Sequence, residues 1–326
     1  MVRRFSPVLA LLLALLSSST VVAAGVATLV WTATFDGSDA PTQASAINLD
    51  PQGRVWVADG ATNQFVIYGP DGRLLERWGT PGTGEGQFDF DNGDGPVGDV
   101  AFAPNGTFYV ADLGNRRVQK FGPDRAFILT WGGAGGTADS ELSAPNHVAV
   151  APDGTVYVSD HVRGDVQHFD AAGRFLGKIG GPGSGPGQFG GAAAVAVAPD
   201  GTVYVVDLGN LRVQAFDKDG TFRFAFGRPG SGDGEFNDVF DAATDPSGNV
   251  YVSDVGNDRI QVFRPDGTYL AQWGGTGSGD GQFRTPESVA VGPGGVAFVV
   301  DLGNRRLQKS RLLPPLGQVA SATPAA

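Results

Sequence analysis

The chain has 326 residues, a hydrophobic fraction of 41%, no cysteine and a formal net charge of −11. That length is ample for a buried core, and the absence of thiols excludes disulfide stapling and lipidation at a cysteine. The acidic balance repels phosphate backbones, with no basic patch to offset it, so it argues against nucleic acid and favours divalent cations or basic partners.

Residues 1–24 read as a secretory signal peptide. Met1-Val2-Arg3-Arg4 is a short basic start, Pro7 to Leu16 is an apolar run without a charge, and Val22-Ala23-Ala24 offers small residues for cleavage. The run is short for a spanning helix. The expected location is therefore secreted or periplasmic, with no stable membrane insertion once the leader is removed. Loss of Arg3 and Arg4 takes the formal charge from −11 to −13.

Thr28 to Phe35, "TLVWTATF", reads as an isolated strand with Trp31 and Phe35 as its aromatic residues. Beyond it an aspartate recurs at Asp59, Asp112, Asp160, Asp207, Asp254 and Asp301, with spacings of 53, 48, 47, 47 and 47 residues. A repeat of this length is expected of four-stranded propeller blades, each unable to bury its apolar faces alone.

The fifth unit shows the grammar. Phe240 to Asp245, Asn249 to Asp254, Arg259 to Phe263 and Thr268 to Trp273 are β-rich runs, separated by Pro-x-Gly, Asp-x-x-Asn and Pro-Asp-Gly turns. The first two runs of each unit are almost continuously apolar, as inner strands covered on both faces should be. Three positions before each repeat aspartate stands an aromatic residue, Trp56, Tyr109, Tyr157, Tyr204, Tyr251 or Phe298, which reads as packing between blades.

The sixth unit runs through Arg306-Leu307-Gln308 to Pro314-Pro315 and lacks a fourth strand, which the strand near the N-terminus can supply. The prediction is an all-β, six-bladed β-propeller of four-stranded antiparallel blades, closed by the N-terminal strand. It occupies residues 25–313 as one domain and is followed by a flexible Pro/Ala-rich tail, 314–326.

The unit resembles the NHL-repeat family of propellers. The resemblance is carried by "APNGTFYVADLGNRRVQKF" from Ala103, "APDGTVYVVDLGNLRVQAF" from Ala198, "DPSGNVYVSDVGNDRIQVF" from Asp245, and the "GQF" or "GEF" that closes the Gly-rich loops. It covers essentially the whole mature chain and is specific for fold rather than function.

Several motifs invite a chemical reading. The Asp-x-Gly-Asn-x-Arg element, as in Asp254/Asn257/Arg259, repeats too regularly for catalysis and reads as turn architecture. The Gly-rich loops have no P-loop lysine and open no helix, so they read as connections between blades. The first unit has a longer exit, containing Asp89, Asp91 and Asp94 among glycines, which resembles a calcium loop without matching the EF-hand spacing.

The residue opening each inner strand is the least repeated: Ala46, Asp99, His147, Ala194, Asp241 and Ser288. In propellers of this kind it sits near the mouth of the central channel. Asp99, His147 and Asp241 are therefore candidate ligands for a divalent metal, zinc or calcium, although no cofactor is required by the sequence. The third unit also replaces the usual turn with His161-Val162-Arg163-Gly164-Asp165, making His161, Arg163 and Asp165 binding candidates on that face. The remaining histidine, His168, reads as an exposed residue of an outer strand.

These features point to a secreted, monomeric recognition or scaffold module whose loop-rich face binds a protein, peptide or glycan. The alternative is a metal-dependent hydrolase or lyase at the channel mouth. Similarity to six-bladed amidating lyases implies several histidine ligands, of which this chain offers one at the corresponding kind of position, whereas lactonase-type relatives imply carboxylate and amide ligands and so keep Asp99 and Asp241 in play.

Overall fold

A computed structural model describes residues 26–34, 41–91, 93, 97–133 and 135–313, with 26–34 described in backbone only. The leader and the tail lie outside the described residues. Six four-stranded antiparallel sheets form the blades of a propeller. Blade 1 comprises Ala44–Leu49, Val55–Asp59, Gln64–Tyr68 and Leu74–Trp78, and the pattern repeats to blade 5, Val239–Thr244, Val250–Asp254, Arg259–Phe263 and Tyr269–Gly274. Blade 6 contains Pro286–Gly292, Val296–Asp301 and Arg306–Leu313, and takes its outer strand from Val26–Thr34.

That closing strand runs antiparallel to Arg306–Leu313, from Val26 opposite Leu313 to Thr34 opposite Arg306, with a bulge between Leu29 and Trp31. It begins two residues earlier than the sequence suggested and stops one short of Phe35, which lies outside the described residues. Pairing the first strand with the last removes the open edge a linear array would expose.

Burial follows position in the blade. The second strand, such as Val203–Asp207, is buried along its whole length, whereas the fourth, such as Phe127–Gly132, alternates half-buried and exposed residues because only one face is covered. Trp56, Tyr109, Tyr157, Tyr204 and Tyr251 are fully buried. The hydroxyls of Tyr157 and Tyr204 donate to the carbonyls of Lys218 and Pro265 in the next blade, at 2.9 Å each. Tyr157 and Tyr204 thus each seal a blade interface and satisfy their own polar tip.

The repeat aspartates are structural hubs, as their regularity implied. Asp254 is fully buried and accepts from the Asn237 backbone N–H (2.8 Å), Asn257 Nδ2 (2.9 Å), Arg259 Nε (2.6 Å) and Gln261 Nε2 (3.0 Å). Arg259 Nη2 continues to the carbonyls of Gly232 and Glu235, both at 2.8 Å, so the hub ties the preceding Gly-rich loop to its blade. Asp112, Asp207 and Asp301 repeat the arrangement.

The Gly-rich loops connect blades as expected. A glutamine or glutamate caps each tight turn, as when Gln188 Oε1 accepts from the Gly185 N–H at 3.1 Å. Gly180, at φ +82°, leads into such a loop, and a Cβ there would meet the Phe189 ring at 2.1 Å. Only glycine lets the chain turn and the ring lie flat on it.

Blade 3 reaches the same end by another route. Asp160 has no guanidinium partner and accepts from three backbone N–H groups, those of Ser143 (2.6 Å), Ala144 (3.0 Å) and Arg163 (3.1 Å). Burial pushes its carboxyl above the usual range, those N–H groups pull it down, and the charge of Asp165 adds to the rise.

Candidate functional site

The inner strands of all six blades line a central cavity of about 290 Å³ whose wall includes Asp99, His147 and Asp241. Each is the first inward residue of its strand, in blades 2, 3 and 5, and each is almost completely buried. They come together as the sequence implied. His147 Nδ1 lies 3.5 Å from Asp99 Oδ2 and 3.9 Å from Asp241 Oδ1, an ion-pair contact to both carboxylates rather than a tight hydrogen bond.

The carboxylates also fasten the ring. Asp99 Oδ2 accepts from the Val148 N–H of the next blade at 3.0 Å. Asp241 Oδ2 accepts from the Val289 N–H at 3.0 Å and from Ser288 Oγ, and Oδ1 from the Ala242 N–H at 2.7 Å. Ser288 Oγ in turn accepts from the Ile47 N–H of blade 1 at 3.1 Å. Polar residues in this column thus hold the inner strand of the following blade, whereas Ala46 and Ala194 have no side-chain polar atom to offer.

Several lone pairs of the trio expected to hold a metal are engaged within the protein. A metal needs several lone pairs converging on one point. Here both Asp241 oxygens and Asp99 Oδ2 already accept protein hydrogens, and the imidazole fills the space between the carboxylates. Among the described residues no group of three or more His, Asp or Glu side chains is arranged to hold a metal ion.

Charge in this cluster is shared unequally. Burial pulls the His147 pKa down, but its contact with Asp99 and the charges of Asp99, Asp241 and Glu287 outweigh it, so the net shift is upward. Burial raises Asp241, opposed by the charge of His147 and the hydrogen bonds from Ser288 and Val289, and reinforced by the charge of Asp99. Glu287 is pushed up to about 7, chiefly by burial, with His147 lowering it and Asp241 and Asp238 raising it further.

Glu287, Asn146 and Phe240 were not singled out from the sequence. All three occupy the column just before the channel residues, which reads Ser45, Gly98, Asn146, Ala193, Phe240 and Glu287 and is as unrepeated as its neighbour. The Phe240 ring meets the His147 ring edge-on at 6.0 Å. His147 Nε2, Glu287 Oε2 and Asn146 Oδ1 are buried and have no hydrogen-bond partner within the protein. Buried polar atoms are normally paired, so these three are exceptions among the described residues, as are Trp131 Nε1, His168 Nε2 and Trp273 Nε1 elsewhere in the ring.

The other candidates behave differently. Arg163 and Asp165 are buried and paired with each other, through Nε to Oδ1 at 3.1 Å and Nη2 to Oδ2 at 2.9 Å. Arg163 Nη1 also reaches the carbonyls of Gly136 (3.2 Å) and Ala138 (3.0 Å), so the pair anchors a loop. His161 is exposed at the turn that follows Asp160, on the face where the inner strands begin, with its ring against Gly191. His168 is half-buried rather than exposed: it stacks on Tyr157 with ring centroids 4.1 Å apart and an interplanar angle of 4°.

In the acidic loop, Asp89 Oδ1 accepts from the Asp91 N–H at 3.2 Å and Asp91 Oδ1 from the Gly93 N–H at 2.7 Å. Two of the three expected calcium ligands thus cap their own turns, and Asp94 lies outside the described residues.

No protein-family profile matches the chain, and no curated protein matches it in sequence. Solved structures match in fold. Virginiamycin B lyase from Staphylococcus aureus aligns at 12% identity and a TM-score of 0.58 over 88% of this chain and 100% of that one. A gluconolactonase from Xanthomonas campestris aligns at 15% identity and a TM-score of 0.61 over 86% and 89%. An auxiliary nutrient binding protein from Bacteroides thetaiotaomicron aligns at 14% identity and a TM-score of 0.58 over 82% and 68%. At such identities the likeness establishes the six-bladed propeller and nothing finer.

Proposed function

We propose that this chain is an exported propeller of NHL type that recognises a ligand through the face where its Gly-rich loops and inner-strand starts meet, with the mouth of the central channel as the binding centre. The observation that carries the reading is the set of buried, unpartnered atoms there, His147 Nε2, Glu287 Oε2 and Asn146 Oδ1. A buried polar group without a partner costs on the order of 1–3 kcal/mol. A ligand that pairs with these atoms recovers that cost. The signal-peptide reading of residues 1–24 supports export, and the fold neighbours include both binding proteins and enzymes built on the same ring.

The three histidines make the test direct, since each stands in a different environment. His168 lies towards the opposite face, paired across its blade with Tyr157. With isotope-labelled histidine, a library of short peptides, oligosaccharides and small polar metabolites is screened by NMR. Ligands should move the His147 resonances and leave those of His168 in place. Binding that registers only at His168, or nowhere among the imidazoles, overturns the reading.

A further inference from the structure

We infer that the ligand group received at the channel mouth is an organic cation, a primary ammonium or guanidinium, seated against Glu287 and the Asp99–His147–Asp241 cluster. The inference rests on the reading of the mouth as a ligand site and names the chemistry of its occupant.

The argument begins with charge. Asp99 and Asp241 are 4% and 6% exposed, and His147, at 3%, is the imidazole between them. Glu287 stands beside this cluster with Oε2 buried and unpartnered. Three carboxyl groups therefore share one imidazole, and the further charge acting on Glu287 is another carboxylate, Asp238. A buried carboxylate without a counter-charge is strongly disfavoured. The hydrogen bonds to Asp241 and Asp99 come from backbone N–H groups and the Ser288 hydroxyl, which orient those carboxylates without neutralising them.

Hydrogen-bonding capacity agrees, since Glu287 Oε2 is an acceptor left open and a donor-rich group matches it. An anionic ligand would add negative charge beside Glu287 and Asp241, where burial already disfavours the ionised carboxyl. A neutral polyol would satisfy hydrogen bonds and leave the charge excess in place. The Phe240 ring, edge-on to His147, adds an aromatic neighbour suited to the hydrocarbon part of an amine. The formal charge of −11 on the whole chain attracts cations to the surface before they reach the mouth.

The test uses three probes of one shape and different charge, benzylamine, benzyl alcohol and benzoate, together with calcium chloride, each titrated into the intact protein while the His147 imidazole is followed by NMR. Benzylamine should give a saturable shift at His147 that benzyl alcohol and benzoate do not. In Glu287→Gln its affinity should fall by roughly tenfold, the loss expected for one charge-assisted hydrogen bond. Asp238→Asn, on an exposed residue, should weaken binding by a smaller factor and keeps the test available if the first variant does not fold. A response to the alcohol or the anion at least equal to that of the amine leaves the ligand site standing and overturns its cationic character. A response to calcium alone does the same in favour of a metal. No response to any probe at His147 while library ligands still move it overturns the cation assignment and leaves the ligand site standing.

Discussion

His147 and His168 show how far one residue type is remade by its surroundings. His147 is held between two carboxylates, which raise its pKa against the pull of burial. His168 stacks on Tyr157, and burial lowers its pKa although Asp153 and Asp219 oppose the shift. A folded-state value below the unfolded value of about 6.5 means that the unfolded chain binds the proton first, so stability rises with pH through this window. His168 should therefore contribute a loss of stability as pH falls below about 6.5, levelling off once the folded-state pKa is passed. His168→Phe keeps the stacked shape and removes the titration. Melting curves from pH 8 to pH 5 should fall less steeply for the variant than for the parent, and parallel curves would show that His168 is not the titrating group.

At the scale of the blade, the aspartate hub matters more than any single strand. Asp254 gathers a loop N–H, an asparagine, an arginine and a glutamine onto one carboxylate with no exposure to solvent. Removing it leaves Arg259 with its buried Nε unpaired and releases Gln261. Asp254→Ala should cost about 3–5 kcal/mol, the range for breaking a buried ion pair by deleting one partner. Urea denaturation of the two proteins would measure it, and a cost under about 1 kcal/mol would show that the hub is dispensable. The hub was readable in the sequence because its residues keep fixed offsets along the chain. Blade 3 was not, because Arg163 there reaches its loop carbonyls while pairing with Asp165, a solution that spacing alone does not reveal.

The molecule as a whole depends on closing the ring. Val26–Thr34 is the fourth strand of blade 6, so the two ends of the domain are fastened to each other by a ladder rather than by a loop. Deleting residues 25–38 should expose the edge of Arg306–Leu313 and lower the melting temperature by roughly 10 °C or more, since the lost strand contributes several kcal/mol in a domain of this size. An unchanged transition would mean that the ring holds without its closure.

The repeat length, the alternation of buried and half-buried strands, the aromatic seals and the missing sixth outer strand were all legible from the chain. Within a blade each depends on local periodicity, and a strand pairs with neighbours only a turn away, whereas the closing pair joins Val26–Thr34 to Arg306–Leu313 from opposite ends of the chain. The candidate site was legible in part. Asp99, His147 and Asp241 stood out as unrepeated residues in a repeated frame, yet their meeting distance and the occupation of their lone pairs depend on blades 2, 3, 5 and 6 being brought round one axis. Glu287 and Asn146 lay one column away, and nothing in their order along the chain marks them as buried and unpaired. The blades follow from short-range pattern in the chain, and their closure from the one unit left without an outer strand. That His147 lies between Asp99 and Asp241 is visible only in the folded ring, because charge balance and hydrogen-bond satisfaction are properties of residues brought together across blades.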